Sequence, residues 1–489
     1  MGQKQKRNPS VVVIGAGMSG ILVAIKLREQ GITDVTILEK AGNVGGTWRE
    51  NTYPGVACDV PAHFYTYKFE RNPEWSHRYA QGGEIQAYFE RVSQKHGVTA
   101  KVRFNEEVTE ARYERGKWTV KTGSGKTFTA DFLVSATGIL HKPFVPQFDG
   151  LDDYQGAVFH TSQWDHSIDL ADKSVGVIGT GSTSSQLVTT LPDMAKKLTV
   201  FQRTPQWIFP IMDRNYSETM KQKCRENPKR MSRTAAFFTF TVGGIFSRAV
   251  TGGKISHFIM TALSKANLRT VKDKELRAKL TPDYKMGCKR IIMNTSYYKA
   301  VQMPNVELET TGIKGFTKTG IEMADGTHHD LDVVVMATGF DPRAFMRPMK
   351  LIGKNGKDIG ALWDKKVQAY RSVYVPDYPN FFLMLGPNTP IGNFSVIRMS
   401  EVQTDYIMAM IERWRDGEFD EVMATVEAQK RFNDYLKKGM GKTVWVTGCD
   451  SWYLDEDGDP LSWPYAWKQW VKEHEQPDMA DFQTVTYAA

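Results

Sequence analysis

Cysteine is scarce in this chain: Cys58, Cys224, Cys288 and Cys449 are the only four in 489 residues, and no two form a CxxC pair. That scatter argues against a disulfide framework, a zinc site or a dithiol redox centre, so no metal is expected. Long apolar runs are also missing. The longest uncharged stretch of note, Thr234–Ser247 (TAAFFTFTVGGIFS), lies between Arg233 and Arg248. It falls short of the about 20 apolar residues that a spanning helix needs, so no transmembrane segment is expected. No lysine or arginine block is long enough to suggest nucleic acid, and the basic start, Lys4 to Arg7, reads as a short solvated tail. Gly2 is followed by Lys6 where a myristoylation signal would want serine or threonine. No signal peptide precedes the first strand, which begins by residue 11. The expectation from these absences is a soluble, cytoplasmic protein. The sequence is silent on oligomeric state.

What is present is an ordinary globular balance, 41% hydrophobic and 24% charged, long enough to bury two or three cores. The 63 Lys plus Arg against 55 Asp plus Glu leave +8, a mild excess that suits an anionic cofactor.

The opening stretch, SVVVIGAGMSGILVAIKLREQGITDVTILEK, carries a β-branched run into Gly15-Ala-Gly17-Met-Ser19-Gly20, then a helical pattern and a second strand ending at Glu39. In that strand–turn–helix–strand context the glycines let backbone approach a pyrophosphate at a helix N-terminus. The acidic residue accepts from a ribose 2′-hydroxyl. The pattern returns at SVGVIGTGSTSSQLVTTLPDMAKKLTVFQRTP, with Gly179, Thr180, Gly181 and Ser182 in the turn and Ser184 at the third, close-packing position. From Gly15 to Glu39 is 24 residues, and from Gly179 to Arg203 is again 24. One structural place therefore carries a carboxylate in the first unit and a guanidinium, with Thr204 beside it, in the second. A carboxylate there repels a 2′-phosphate, whereas arginine forks onto one. The first unit is expected to hold FAD and the second NADPH.

FLVSATGIL (Phe132–Leu140) and DVVVMATGF (Asp332–Phe340) read as buried strands that return the chain from one nucleotide unit towards the other, and FFLMLGPN (Phe381–Asn388) as a late strand back to the flavin. The expected fold is α/β, with two Rossmann-like dinucleotide-binding domains and a helical insert. The FAD domain is split over 1–147 and 340–489. The NADPH domain takes 148–220 and 285–339, and the helical insert 221–284, whose role is either packing or a lid over a lipophilic substrate. Asp455-Glu-Asp457-Gly-Asp459 has the wrong glycine position for a calcium loop and reads as an exposed turn.

Two longer motifs lie outside the glycine turns. YQGAVFHTSQWD, ahead of the second turn, spaces Tyr154, Gly156, His160 and Trp164 before Asp165; GGTWRENTYPGVACD runs from Gly45 to Asp59. With both in order, the chain resembles the class B flavin monooxygenases, most closely the type I Baeyer–Villiger monooxygenases, whose fingerprint Phe-x-Gly-x-x-x-His-x-x-x-Trp-(Pro/Asp) it matches with tyrosine for the first phenylalanine. The resemblance extends to SWYLD and SWP near the C-terminus and covers essentially the whole chain.

The resemblance implies an NADPH-dependent flavoenzyme. It would insert one oxygen atom of O2 beside a ketone carbonyl through a flavin C4a-peroxide, giving an ester or lactone. Lys40, Gly46, Thr47, Trp48, Asp59 and Tyr65 would join Gly15, Gly17, Ser19, Gly20 and Glu39 around FAD. Lys289 would join Arg203 and Thr204 at the 2′-phosphate, and Arg290, oriented by Asp59, would serve catalysis beside flavin and nicotinamide. A guanidinium that keeps its proton is the suitable cation beside a peroxide anion, whereas a buried lysine tends to lose its charge. Gly156, His160 and Trp164 would form a hinge linking the two units, with His160 an anchor more than a proton-transfer catalyst. The expected partners are a lipophilic ketone and O2, not nucleic acid. The rival readings are sulfide or amine oxygenation on the same fold, a flavin disulfide reductase, which the lack of a close cysteine pair disfavours, and a non-enzymatic flavin-binding module.

Overall fold

The β-branched run Val11–Ile14 forms the centre of a parallel sheet in the order Phe381–Leu383, Phe132–Ser135, Val11–Ile14, Val35–Leu38, Val102–Arg103. The computed structural model describes residues 6–389, 394–449 and 453–487. Gly2, the beginning of the basic tail, and Ser451 and Trp452 of the SWYLD stretch lie outside the described residues. Strand side chains alternate between faces, so successive residues of the run go to opposite cores. Val11, Val13 and Ile37 pack with the helices Met18–Glu29 and Val396–Arg415. Val12, Ile14 and Leu38 pack on Trp118, Val120 and Leu351 of a second, smaller sheet. That sheet is the antiparallel set Val108–Glu114, Lys117–Thr122 and Thr127–Ala130, with Lys350–Ile352 added alongside.

The second glycine turn begins a copy of this plan. Its parallel sheet runs Val306–Glu309, Lys197–Phe201, Ser174–Ile178, Val333–Met336, Ala157–His160. Val175, Val177, Val333 and Val335 face the helix Ser182–Thr190, and Ile178, Val334 and Met336 face Phe316, Ile321 and Met323 of another three-stranded antiparallel sheet. In each unit the strand that ends in Ala-Thr-Gly sits beside the strand that opens the glycine turn.

The units differ in where the fifth strand comes from. The first takes Phe381–Leu383 from late in the chain, and the second takes Ala157–His160 from just before its own turn. The segment expected as a link is therefore in part an edge strand, with Ala157 opposite Val333 and His160 opposite Met336. The chain crosses between units once after residue 136 and returns after residue 337. The two crossings lie against each other: the Phe144 N–H donates to Gly339 O at 2.9 Å and the Asp341 N–H to Lys142 O at 3.0 Å.

Between Ser217 and Leu280 the described elements are all helical. They include Glu218–Glu226, Lys229–Thr241, a π turn at Val242–Phe246, Lys254–Leu268 and Lys274–Lys279.

The cysteine expectation is corrected. Cys288 and Cys449 form a disulfide across 161 residues of sequence, with 6.2 Å between Cα atoms, while Cys58 and Cys224 remain buried thiols. Spacing along the chain reports local pairs only, and this pair exists because the fold brings the C-terminal loop onto the Lys289-Arg290 segment. The Asp455–Asp459 turn is held from within: Asp455 Oδ1 accepts from the Asp459 N–H at 2.7 Å, and Asp459 is paired with Lys366 and Lys437.

Candidate functional site

Both glycine turns open helices prepared for an anion. The helices Met18–Glu29 and Ser182–Thr190 start on Gly17 and Gly181, with no side-chain cap and no acidic residue in the first turn. Their first N–H groups are left to another acceptor. Gly15 and Gly179 have φ of +100° and +117°, and a Cβ on either would meet the backbone O of Ala136 at 2.7 Å or of Ala337 at 2.4 Å. Only glycine allows the strand ends to close so tightly. Gly20 is stricter still, since a Cβ there would lie 1.9 Å from Gly15 O. At its equivalent in the second unit, Ser184 is fully buried and its hydroxyl lacks a partner among the described residues, as does that of Ser182.

Glu39 lies at the end of its strand, buried, with its carboxylate accepting from the Ala16 N–H at 2.8 Å and the Ala41 N–H at 3.0 Å and pairing with Arg49 at 3.1 Å. It is thus fixed beside the turn. Ser19 and Lys40, also expected at FAD, have side-chain partners within the protein. The Ser19 hydroxyl faces Ser400 at 3.2 Å in the protein interior, because its helix position points at the helix Val396–Arg415. Lys40 is an exposed side chain paired with Glu50 at 3.3 Å.

The Gly45–Asp59 motif works as a bridge across the whole site. At one end Gly46, with φ +56°, passes so near the first turn that its Cβ would be 3.1 Å from the Gly17 Cα. Thr47 opens the short helix Thr47–Glu50, and Trp48 Nε1–H donates to the Tyr65 hydroxyl at 3.1 Å. In the middle, the Tyr53 hydroxyl donates to Gln186 Oε1 at 2.8 Å, and Gln186 Nε2–H donates back to Ala57 O at 2.9 Å. Gln186 belongs to the helix of the second turn, so the motif ties the two nucleotide units together. Tyr53 stood out in the sequence only as a position of this motif, and Gln186 not at all, because glutamine in a helix carries no pattern of its own.

The far end of the motif carries Asp59, and Arg290 Nη2–H donates to its Oδ2 at 2.9 Å. The Asp59 charge raises the Arg290 pKa above its already high ordinary range, more than burial lowers it. The Nε–H of Arg290 is buried and lacks a hydrogen-bond partner among the described residues. Beside the pair, burial and then the Asp59 charge push the Cys58 thiol well above its usual range. A raised thiol pKa disfavours the thiolate, which is the attacking form. Tyr453, stacked on Trp445 at 4.8 Å, is close enough to feel both charges: burial pushes it up to about 12, with Arg290 opposing and Asp59 adding. Tyr453 was visible in the sequence only as part of SWYLD.

Arg203 is exposed at the end of its strand, and neither it nor Lys289 has an ion pair among the described residues. Lys289 Nζ sits over the Tyr284 ring at 5.5 Å, and the Tyr284 hydroxyl donates to Pro205 O at 3.0 Å. Thr180 Oγ1–H donates to Thr204 O at 2.9 Å. Tyr284 thus connects the Lys289 loop to the chain just after Arg203 and Thr204.

Just before the edge strand, a Cβ on Gly156 would meet Asp332 O at 2.6 Å, which requires glycine there. The Tyr154 hydroxyl donates to Leu331 O at 2.8 Å, a contact that phenylalanine could not make. His160 Nδ1 accepts from the Ser162 N–H at 3.2 Å, and its Nε2–H donates to Gly339 O at 2.9 Å. Burial lowers its pKa, partly offset by the Gly339 hydrogen bond. Both ring nitrogens are thus in use, one of them against Gly339 on the return crossing. Trp164 packs edge-on against Phe159 at 5.0 Å.

The chain has many relatives. The profile of the pyridine nucleotide-disulphide oxidoreductase family matches residues 12–245. A Baeyer–Villiger monooxygenase of Streptomyces coelicolor is 37% identical, over 97% of this chain and 92% of its own. The chain belongs to the Baeyer–Villiger monooxygenase family. Its fold agrees with solved members: the closed crystal structure of cyclohexanone monooxygenase aligns with a TM-score of 0.88 at 28% identity, covering 99% of this chain and 100% of that one. A complex of OTEMO with FAD and NADP aligns with a TM-score of 0.86 at 26% identity, covering 98% and 100%.

Proposed function

We infer that this chain is an FAD- and NADPH-dependent monooxygenase that inserts one oxygen atom of O2 beside a ketone carbonyl. The other atom leaves as water, with NADPH and a proton supplying the electrons and hydrogen, and the product is an ester or lactone. The observation that carries this reading is the Asp59–Arg290 pair at 2.9 Å, a permanent cation fixed where the two nucleotide units meet.

The residues fit both cofactors. The uncapped turn at Gly17 and the glycine-on-glycine approach at Gly46 leave room for a pyrophosphate against bare backbone. Glu39 beside that turn suits an unphosphorylated ribose. Arg203 and Lys289, lacking counter-charges among the described residues, suit a 2′-phosphate. We assign Gly15, Gly17, Gly20, Glu39, Gly46, Thr47 and Trp48 to FAD, and Gly179 to Ser182, Arg203, Thr204 and Lys289 to NADPH. For Ser19 the contact would come through its backbone N–H, since its hydroxyl is turned to Ser400. When bound, the flavin supplies the hydride acceptor and the O2 chemistry.

Arg290 is the cation that would meet a negatively charged oxygen. Its Nη2 is tied to Asp59, and its unpartnered Nε–H remains available to an anionic oxygen. Preorganised donors of this kind stabilise an oxyanion as it forms on the substrate carbonyl. Asp59 fixes the direction of the guanidinium and preserves its charge. Oxygen transfer to a sulfide or amine forms no oxyanion on the substrate and would not call on this cation, which favours the ketone reaction.

The test is a panel of aliphatic, cyclic and aryl ketones and matched sulfides, with NADPH consumption and products measured together. Esters or lactones formed in step with NADPH support the reading. Sulfoxides alone would replace it with heteroatom oxygenation.

A further inference from the structure

The helical insert presents its apolar side outward. Along the helix Lys254–Leu268, positions 255, 258, 259 and 263 share one face at about 100° per residue. Their side chains are exposed: Ile255 78%, Phe258 72%, Ile259 47% and Leu263 45%. The opposite face, turned to the protein, is Met260, Ser264 and Leu268, all buried. The helix Lys229–Thr241 does the same with Phe237 at 60% and Phe240 at 74%, and the π turn that follows exposes Ile245. A chain that folds alone in water normally turns such a stripe inward, and aligned large apolar side chains left exposed on successive helices mark a surface that meets something.

Charge identifies what it meets. Between Asn227 and Lys272 the sequence has eight lysines and arginines and no aspartate or glutamate, although the whole chain has 55 acidic residues in 489. Among the described residues no ion pair involves Arg230, Arg233, Arg248, Lys254 or Lys265, all of them exposed. On the outward helix, Lys254 and Lys265 fall on one flank of the apolar stripe. Apolar side chains rimmed by uncompensated cations are complementary to an anionic lipid surface, where rings enter the acyl boundary and cations meet headgroups. Neither helix can cross the membrane: Lys254–Leu268 has 15 residues, and no helix among the described residues is long and apolar enough to span.

We propose that the outer face of the insert, from Phe237 to Leu263, docks the protein peripherally on anionic lipid bilayers. The proposal is independent of the oxygenation reading, because none of these side chains takes part in the site described above.

The experiment is flotation of the purified full-chain holoprotein with vesicles of phosphatidylcholine alone and of phosphatidylcholine mixed with phosphatidylglycerol. Binding is expected to the anionic vesicles and to weaken as salt is raised. Lys254→Glu with Lys265→Glu should lower the apparent partition about tenfold or more. Phe240→Ser with Phe258→Ser should abolish it. Both variants change exposed side chains, so folding and turnover of a water-soluble ketone should be unchanged. No flotation with either vesicle, or flotation that neither variant alters, overturns the proposal. A concentration-dependent dimer that the phenylalanine variant dissociates, without vesicle binding, would also overturn it and assign the face to a second copy.

Discussion

Arg290 Nη2–H reaches Asp59 Oδ2 at 2.9 Å across 231 residues of sequence, which joins the far end of the Gly45–Asp59 bridge to the loop carrying Lys289. The cation is therefore held by the element that also touches the first glycine turn and the helix of the second, and its position depends on the two nucleotide units being in register. Removing one preorganised stabiliser of developing negative charge typically costs ~10²–10³ in rate. Arg290→Ala should keep FAD, since the first turn and Glu39 are untouched, yet lose ester formation by at least that factor. The NADPH it still consumes should appear as hydrogen peroxide. Asp59→Ala, which leaves the cation present but unaimed, should show a milder defect of the same kind. Ester, peroxide and NADPH are measured in one assay, and near-normal ester per NADPH from Arg290→Ala would remove the arginine from the chemistry.

Coenzyme choice is predicted from Arg203 and Lys289, which have no ion pair among the described residues. Arg203→Ala should weaken NADPH binding by about 1.5–3 kcal/mol, the scale of a hydrogen bond to a charged group. Its use of NADH should hardly change, because NADH has no phosphate at that position. Stopped-flow flavin reduction with each coenzyme checks this. Equal losses with both would show that Arg203 supports the strand end and does not read the 2′-phosphate.

The parts of the site that could be read in the sequence are those with fixed local spacing. Gly15, Gly17, Glu39 and their counterparts Gly179, Gly181 and Arg203 stand in a strand–turn–helix–strand frame whose geometry follows from near neighbours. What spacing could not give was decided by distant contacts. Ala157–His160 became an edge strand because Val333–Met336 offers it a free side. Ser19 turned to Ser400 because a helix from the other end of the chain packs there. Tyr53 and Gln186 meet only when both units are assembled.

Stability should fall with acid in a defined window. Burial, with Arg71 adding to it, lowers His63 to about 4 from an ordinary 6.5, and its Nδ1 is buried without a hydrogen-bond partner. A histidine whose folded pKa is depressed favours the folded state fully above its unfolded pKa. That contribution is lost as pH falls from about 6.5 to about 4, because the unfolded chain binds the proton first. Each proton of difference corresponds to about 1.4 kcal/mol per pH unit. The melting temperature should therefore decline between these values, and more steeply than in His63→Asn. An identical slope in the variant would place the acid sensitivity elsewhere.

The Cys288–Cys449 disulfide gives a prediction with a count in it. Denatured, unreduced protein should titrate two thiols, Cys58 and Cys224, and reduced protein four. The bond closes a loop of 161 residues and fastens the C-terminal loop to the residue before Lys289. Cross-links of this kind typically contribute about 2–4 kcal/mol. Cys449→Ser should lower the melting temperature and loosen NADPH binding, leaving the first turn, and so FAD, unaffected. A persistent disulfide is uncommon in a reducing cytosol. Trapping the thiols by alkylation directly in cells therefore tests the bond and the compartment together. Two blocked thiols at harvest would mean that the pair is oxidised where the protein works, and would count against the cytoplasmic expectation. Four at harvest, falling to two during purification, would mean that the enzyme works with the C-terminal loop untied and that the bond forms afterwards in air.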